Sequence, residues 1–278
     1  MSDKSTFIVT NGAHSGTVIQ QTALAGGCYR LLVEAAELAQ AARAGQFVHI
    51  LPRQAESTSP MLRRAFSIMT AKNGRIEVLY RALGRGTALM SRWQAGQQVD
   101  LLGPLGRPFV EPEYPLLLIG GGVGTPPLVM LAWQTRLKQP QLPIKTLIAA
   151  KTSAEVLGKE DLLESGVDVT VATDDGSEGH HGFVTELLEK QFMDGNREYS
   201  IYACGPLPML RAVASICEKY ERRALLSLEE NMPCGIGVCN GCSIPVVNGE
   251  GEYGQYSRIC VDGPSLWSDQ IDWPKLRS

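Results

Sequence analysis

Leu116-Leu117-Leu118-Ile119-Gly120-Gly121-Gly122-Val123-Gly124-Thr125-Pro126 is the stretch that decides how this chain is read. Four consecutive apolar residues form a strand buried on both faces, and the glycines then turn the chain into an apolar segment, Pro127–Lys138, with helical character. Strand, glycine turn, helix is the opening of a nucleotide-binding unit. The turn is not a clean Gly-x-Gly-x-x-Gly, so taken alone it also fits an ordinary connection between strand and helix.

Downstream the alternation continues. Strands are predicted at Lys145–Ala150, Val167–Ala172, Ser200–Ala203 and Ala224–Leu228, with helices at Glu155–Leu163, Phe183–Gln191 and Pro208–Tyr220 between them. Such a series implies a parallel sheet covered by helices on both faces. Two further turns fall at strand ends, Thr173-Asp174-Asp175-Gly176-Ser177 and Cys204-Gly205-Pro206. Open α/β sheets bind ligands on that edge. A carboxylate of Asp174 or Asp175 there can accept hydrogen bonds from ribose hydroxyls and repel a 2′-phosphate, which favours NAD over NADP; the same residues also fit a solvated turn. Cys204 equally fits a small buried residue at a strand end.

Upstream, from Thr17 to about Pro104, the pattern is different. Short strands at Thr17–Gln21, Cys28–Ala35, Gln46–Leu51, Arg64–Thr70, Arg75–Arg81 and Gln98–Leu102 are separated by Gly26-Gly27, Asn73-Gly74 and Ala95-Gly96. This spacing predicts a small antiparallel barrel, with Asn73-Gly74 marking a hairpin. Arg64-Ala65-Phe66-Ser67 on one strand could be a plain edge. A second segment adds weight: Leu79-Tyr80-Arg81 leads into Gly84-Arg85-Gly86-Thr87, where glycines precede a predicted helix at Ala88–Trp93 and free N–H groups for phosphate oxygens.

At the other end, Cys234, Cys239 and Cys242 stand in Cys-x4-Cys-x2-Cys, and Cys260 follows after seventeen further residues. Three thiolates on one loop and a fourth from a distant turn suit a [2Fe–2S] cluster of the plant type, in which each iron takes two sulfurs. Gly235, Gly237 and Gly241 let the loop turn and bring N–H groups toward the sulfurs. A zinc ribbon would show two Cys-x2-Cys knuckles, and only Cys239 and Cys242 fit one. A disulfide set fits poorly with seven cysteines and no secretory opening. Cys28 and Cys217 read as small buried residues.

The composition bounds the rest. A chain of 278 residues exceeds one ordinary core, and 44% hydrophobic with 20% charged residues is a globular balance. Prolines at 104, 108, 112 and 115 mark a linker between the first two units. The expected division is 1–107 for the barrel, 108–227 for the α/β unit and 228–278 for the cluster unit. A net charge of −3 without runs of either sign speaks against nucleic acid and anionic membrane surfaces. No apolar run approaches the ~20 residues of a membrane span, and the opening Met1-Ser2-Asp3-Lys4-Ser5-Thr6 carries no secretory pattern, so a cytoplasmic location is expected.

Together these segments resemble the ferredoxin–NADP reductase superfamily, and within it the electron-transfer subunits of bacterial NAD-dependent dihydroorotate dehydrogenase. The resemblance covers nearly the whole chain through Leu62-Arg63-Arg64, Gly103-Pro104-Leu105-Gly106, Gly120–Leu128, Asp174–Val184 and Glu229–Cys242. It departs from the family at Ala65-Phe66, where close members carry Pro-Ile, and in the length of the Cys242–Cys260 interval. The resemblance implies an FAD held by Arg64 at its pyrophosphate, with Ala65 and Phe66 packing by the ring, Ser67 near N5, Leu79, Tyr80 and Arg81 on the neighbouring strand, and Gly86 and Thr87 closing over the phosphates. It implies NAD as electron acceptor at Gly121, Gly122, Gly124, Thr125, Asp174, Asp175, Gly205 and Pro206, with Cys204 lining the nicotinamide site. It implies cluster ligation by Cys234, Cys239, Cys242 and Cys260, and an FMN-containing (β/α)8 catalytic partner assembled as two of each chain. The rival readings at this point are a self-standing NAD(P)H reductase, a matching subunit of a sulfide- or hydrogen-linked oxidoreductase, and a zinc-stabilised interaction protein.

Overall fold

A computed structural model describes residues 12–53, 57–194, 197–247, 249 and 254–276; the opening hexapeptide lies outside the described residues. Its first unit is a closed six-stranded antiparallel barrel built from β1 (Gly12–Ala23), β2 (Cys28–Glu34), β3 (Phe47–Ile50), β4 (Arg64–Lys72), β5 (Arg75–Arg81) and β6 (Gln98–Leu105), in the order β1-β2-β5-β4-β3-β6. Asn73 and Gly74 both take positive φ, 54° and 71°, and close the β4–β5 hairpin as the sequence leads one to expect. Two short helices cap the barrel, α1 (Ala36–Ala41) and α2 (Arg85–Met90). The sequence pattern does not predict α1. Helix α2 begins three residues before the expected Ala88, because the Thr87 hydroxyl accepts from the N–H groups of Leu83 (3.0 Å) and Gly84 (3.1 Å) and starts the helix there.

The second unit is a sheet with β7 (Leu116–Gly121), α3 (Pro126–Lys138), β8 (Ile144–Ala150), α4 (Lys159–Glu164), β9 (Asp168–Thr173), β10 (His180–His181), α5 (Val184–Met193), β11 (Ser200–Cys204), α6 (Leu207–Lys219) and β12 (Ala224–Ser227). The strand order is β10-β9-β8-β7-β11-β12, all parallel. Alternation along β7 explains the two cores: Leu116 and Leu118 join the face shared with α3 and the barrel, while Leu117 and Ile119 join the face under α5 and α6. Helix α3 is wedged between sheet and barrel and is buried on nearly every side, from Pro126 to Ala132. The expected helix over Glu155–Leu163 is shorter. Ser153–Glu155 forms a 3-10 turn, and Gly158, at φ 76°, breaks the chain before α4.

The remaining strands are β13 (Ser243–Pro245), β14 (Tyr256–Arg258) and β15 (Ser265–Trp267). β13 and β14 form a small hairpin-like pair, whereas β15 runs antiparallel to β12, with Leu225 facing Trp267, and becomes the seventh strand of the large sheet. The third segment is thereby fixed to the second through backbone hydrogen bonds. Arg30 ties the barrel to the sheet, donating to Glu77 on β5 (2.8 Å) and to Asp161 on α4 (2.6 Å). These two carboxylates hold its guanidinium pKa well above the usual value, against the opposing effect of burial.

Candidate functional site

One groove of about 620 Å³ runs between barrel and sheet. Its barrel wall carries Arg64, Ala65, Phe66 and Ser67 from β4 and Leu79, Tyr80 and Arg81 from β5, and its other wall carries Val123, Cys204 and the run from Ser227 to Pro233. Phe66 leans on Tyr80 at 5.5 Å between ring centroids, and Tyr80 stacks on Tyr29 at the same distance. Tyr80 donates its hydroxyl to Gln21 at 2.8 Å, which fixes the ring as a flat wall.

Arg64 bends over the first turn of α2. A side chain on Gly86 would stand 3.2 Å from the Arg64 Nε, so glycine at 86 is what lets the guanidinium lie against that turn. Guanidinium and glycine-containing turn together present the kind of donors that suit phosphate oxygens. The Thr87 hydroxyl is engaged with the turn backbone and also donates to the Gly84 carbonyl at 3.1 Å, so its part is to hold the turn in shape. Arg81 reaches away to Glu155 at 2.8 Å and to the Cys28 sulfur at 3.5 Å, and so joins barrel and sheet at the groove's end.

The glycine turn and the Cys-Gly-Pro turn meet backbone to backbone, because β7 and β11 are neighbours and both end at this edge. A Cβ on Gly124 would fall 2.6 Å from the Cys204 carbonyl carbon, and one on Gly205 would fall 3.2 Å from the Gly121 Cα. Gly122, at φ 53°, faces open space. Thr125 donates to the Gly122 carbonyl at 3.0 Å, and Pro206 caps the start of α6. Gly124→Ala should force these turns apart at a cost of about 1–3 kcal/mol, as overpacking does. Nicotinamide titration should then show weakened binding while flavin content is retained.

Cys204 is fully buried, and burial, helped by the nearby Glu229 charge, pushes its thiol up to about 12. It is therefore neutral and acts by shape. Glu229 itself stands open to solvent on the groove floor, yet enough protein surrounds it to hold its carboxyl above the usual range through desolvation. Asp174 and Asp175 lie on the same sheet edge, after β9. The Asp175 carboxylate accepts from the Ser177 hydroxyl (2.6 Å) and N–H (3.0 Å), which lowers its pKa, while Asp174 faces solvent.

The cysteines come together at the groove's far end in two pairs. The Cys234 and Cys239 thiols stand within hydrogen-bonding reach of each other, and so do those of Cys242 and Cys260. Backbone N–H groups point at these sulfurs: Cys239 toward Cys234 (3.5 Å), Gly241 toward Cys239 (3.4 Å) and Cys260 toward Cys242 (3.4 Å). Against the burial that would raise it, N–H groups of Cys239, Ile236 and Val238 bring the Cys234 thiol down to about 6. Burial and the neighbouring Cys242 push Cys260 up to about 12. Among the described residues no three His, Cys, Asp or Glu side chains close on one point as a single-ion site requires. Two sulfur pairs with donors aimed at them suit a two-iron cluster.

Several groove residues had no signal in the sequence. Phe47, Leu83 and Pro264 line it without belonging to any motif, and His49, buried beside the cysteine loop, reads in sequence as one polar residue of an ordinary strand. No helix among the described residues is long and apolar enough to cross a membrane.

Comparison with known proteins bears on the whole chain. Residues 229–272 match the iron-sulfur cluster binding domain of dihydroorotate dehydrogenase B, and residues 118–215 match an oxidoreductase NAD-binding domain. The chain is 38% identical over 267 residues to the dihydroorotate dehydrogenase B (NAD(+)) electron transfer subunit of Bacillus caldolyticus, covering 94% of this chain and 98% of that one. Its counterpart in Shouchella clausii is 37% identical over 255 residues, covering 89% and 93%. Among solved structures, an NADH-dependent reduced ferredoxin-NADP oxidoreductase superposes with a TM-score of 0.81 at 27% identity, covering 94% of this chain and 91% of that one. A ferredoxin NADP+ reductase from Neisseria gonorrhoeae, with bound FAD and NADP, shares the fold at a TM-score of 0.63 and 16% identity over 75% and 91% of the two chains.

Proposed function

Because the chain belongs to the family of dihydroorotate dehydrogenase B electron-transfer subunits, we propose that its groove and cysteine loop form one relay, which takes electrons from a dihydroorotate-oxidising partner and delivers them to NAD+ for pyrimidine synthesis. The observation that carries this reading is the single groove whose walls hold the flavin strand, Cys204 and the approach to Cys234. FAD, when bound, exchanges electrons singly with an iron–sulfur centre and in pairs with nicotinamide. Arg64 and the Gly84–Thr87 turn would hold its pyrophosphate, and Phe66, Ser67 and Tyr80 would hold its ring in the groove that Val123 and Cys204 line from the other wall. The glycine and Cys-Gly-Pro turns seat NAD, with Asp174 and Asp175 on the ribose side. Cys234 and Cys239 supply one iron of a [2Fe–2S] cluster, Cys242 and Cys260 the other.

No acid–base dyad is needed for this work. Each segment has its share: 1–107 holds FAD, 108–227 holds NAD and 228–278 holds the cluster. The partner carries FMN on a (β/α)8 barrel, two of each chain assemble, and a reducing cytoplasm keeps the free thiols intact. Docking takes place at the cluster, since a relay between two flavins must have the cluster between them. Ile236 and Val238, 44% and 76% exposed, present apolar side chains beside the ligands and form the centre of that contact.

Ile236→Glu places a charge in this contact and should weaken assembly with the catalytic subunit by about 2 kcal/mol, roughly 30-fold. NADH-driven reduction of an artificial dye should be unchanged. Co-purification and dye assays decide it, and full assembly of the variant would move the docking face elsewhere.

A further inference from the structure

We propose that His49 donates a ring N–H to the sulfur shell of the iron–sulfur cluster on its Cys234 side, and so raises the potential at which the cluster accepts an electron. This rests on the reading of Cys234, Cys239, Cys242 and Cys260 as ligands. His49 sits on β3, with Ala65 of the flavin strand directly across the ladder. Val48 and Ile50 point into the barrel core, so alternation turns His49 outward, on the side of Phe47 and the cysteine segment. Solvent does not reach it: its exposure is 0%, and neither ring nitrogen has a hydrogen-bond partner among the described residues.

An imidazole buried with both nitrogens unpaired is costly, because neither nitrogen has replaced the hydrogen bond that water gave it. Such a side chain persists where something it bonds to belongs at the site. Two directions are available. Phe47, two residues earlier, lines the flavin groove, whereas His49 does not. The ring instead presses on Gly235, the residue after Cys234, so closely that a Cβ there would fall 2.5 Å from Cε1 and 2.8 Å from each nitrogen. Gly235 also holds a φ of 71°, which glycine adopts freely. Glycine at 235 thus admits the imidazole edge to the ligand loop. Burial, with the Arg63 and Arg64 charges, lowers the ring's pKa to about 4 and leaves it neutral, with one N–H to give. A donor to a cluster sulfur favours the reduced, more negative state.

The test uses the holoprotein, reconstituted anaerobically, in three forms: wild type, His49→Phe and His49→Gln. Iron, flavin and the cluster midpoint by EPR-monitored redox titration are measured in each. His49→Phe should keep iron and flavin but shift the reduced-to-oxidised ratio about threefold to tenfold at fixed poise, a fall of roughly 30–60 mV at 59 mV per decade. His49→Gln, which retains an N–H, should recover part of that fall. An unchanged cluster midpoint in iron-replete His49→Phe overturns the proposal, and so does a shift confined to the flavin.

Should the phenylalanine variant lose its iron, wild-type protein labelled with 15N at histidine settles the matter. Pulsed EPR of the reduced cluster should show a 15N coupling; its absence contradicts the assignment. Wild-type protein without a bleachable cluster would instead overturn the ligand reading on which this one stands.

Discussion

Cys239→Ser should strip the protein of most of its iron and abolish electron exchange with the catalytic subunit, while leaving flavin in place. The sulfur of Cys239 pairs with Cys234 and is reached by the Gly241 N–H, so in the proposed cluster it would be one of two sulfurs on its iron. The other free cysteines cannot replace it. Cys204 is buried at the end of β11, Cys217 on the buried face of α6, and Cys28 is held in the barrel beside Arg81. Serine offers a harder oxygen donor to a site built for thiolates, and an undercoordinated iron is lost from the cage. Iron content, the cluster EPR signal and the transfer rate are the readouts. Wild-type values in all three would remove Cys239 from the ligand set.

Arg64→Ala should emerge with substoichiometric FAD and an intact cluster. Among the described residues the Arg64 guanidinium donates to two backbone carbonyls, of Leu62 (2.9 Å) and Arg63 (3.1 Å), both from one nitrogen, which leaves N–H groups for the groove. Paired charge-assisted bonds to a pyrophosphate from those groups contribute about 3 kcal/mol, on the order of 100-fold in affinity. Arg63 cannot stand in, because Asp100 holds its guanidinium at 2.7 Å. Flavin-to-protein ratio after gel filtration measures the effect. An unchanged ratio would place the pyrophosphate elsewhere.

What was legible in the sequence was legible for local reasons. The β7 run and its glycine turn, the Asn73-Gly74 hairpin and the cysteine spacing each encode their geometry within a few residues. What stayed hidden depends on partners far along the chain. Three residues at Ser265–Trp267 carry no strand signal of their own and become β15 only because β12 offers an open edge. His49 follows the outward phase of its strand, which in an antiparallel barrel predicts solvent. Gly235, far down the sequence, covers it instead. Helix α4 is clipped because one left-handed glycine, Gly158, outweighs a run of good helix formers around it.

The site was legible in its residue types more than in its arrangement. That Arg64, Phe66, Cys204 and the approach to Cys234 share one groove follows from the barrel packing on α3 and the C-terminal edge of the sheet, which no motif states. Asp175 shows the converse: its position on the ligand-binding edge is as the motif implies, but its carboxylate is turned into the Ser177 loop.

This chain relays electrons that it does not itself extract. Dihydroorotate oxidation requires a base to take the C5 proton beside a flavin facing the substrate, and the carboxylates that line the groove, Glu229 and Glu230, stand on the wall of Cys204 and not on the flavin strand. NADH formation from dihydroorotate and NAD+, followed at 340 nm, tests this directly on the isolated chain and on the chain recombined with its catalytic subunit. The chain alone should give no turnover, and the pair should sustain NADH production. Turnover of dihydroorotate by the isolated chain at the rate of the pair would contradict it.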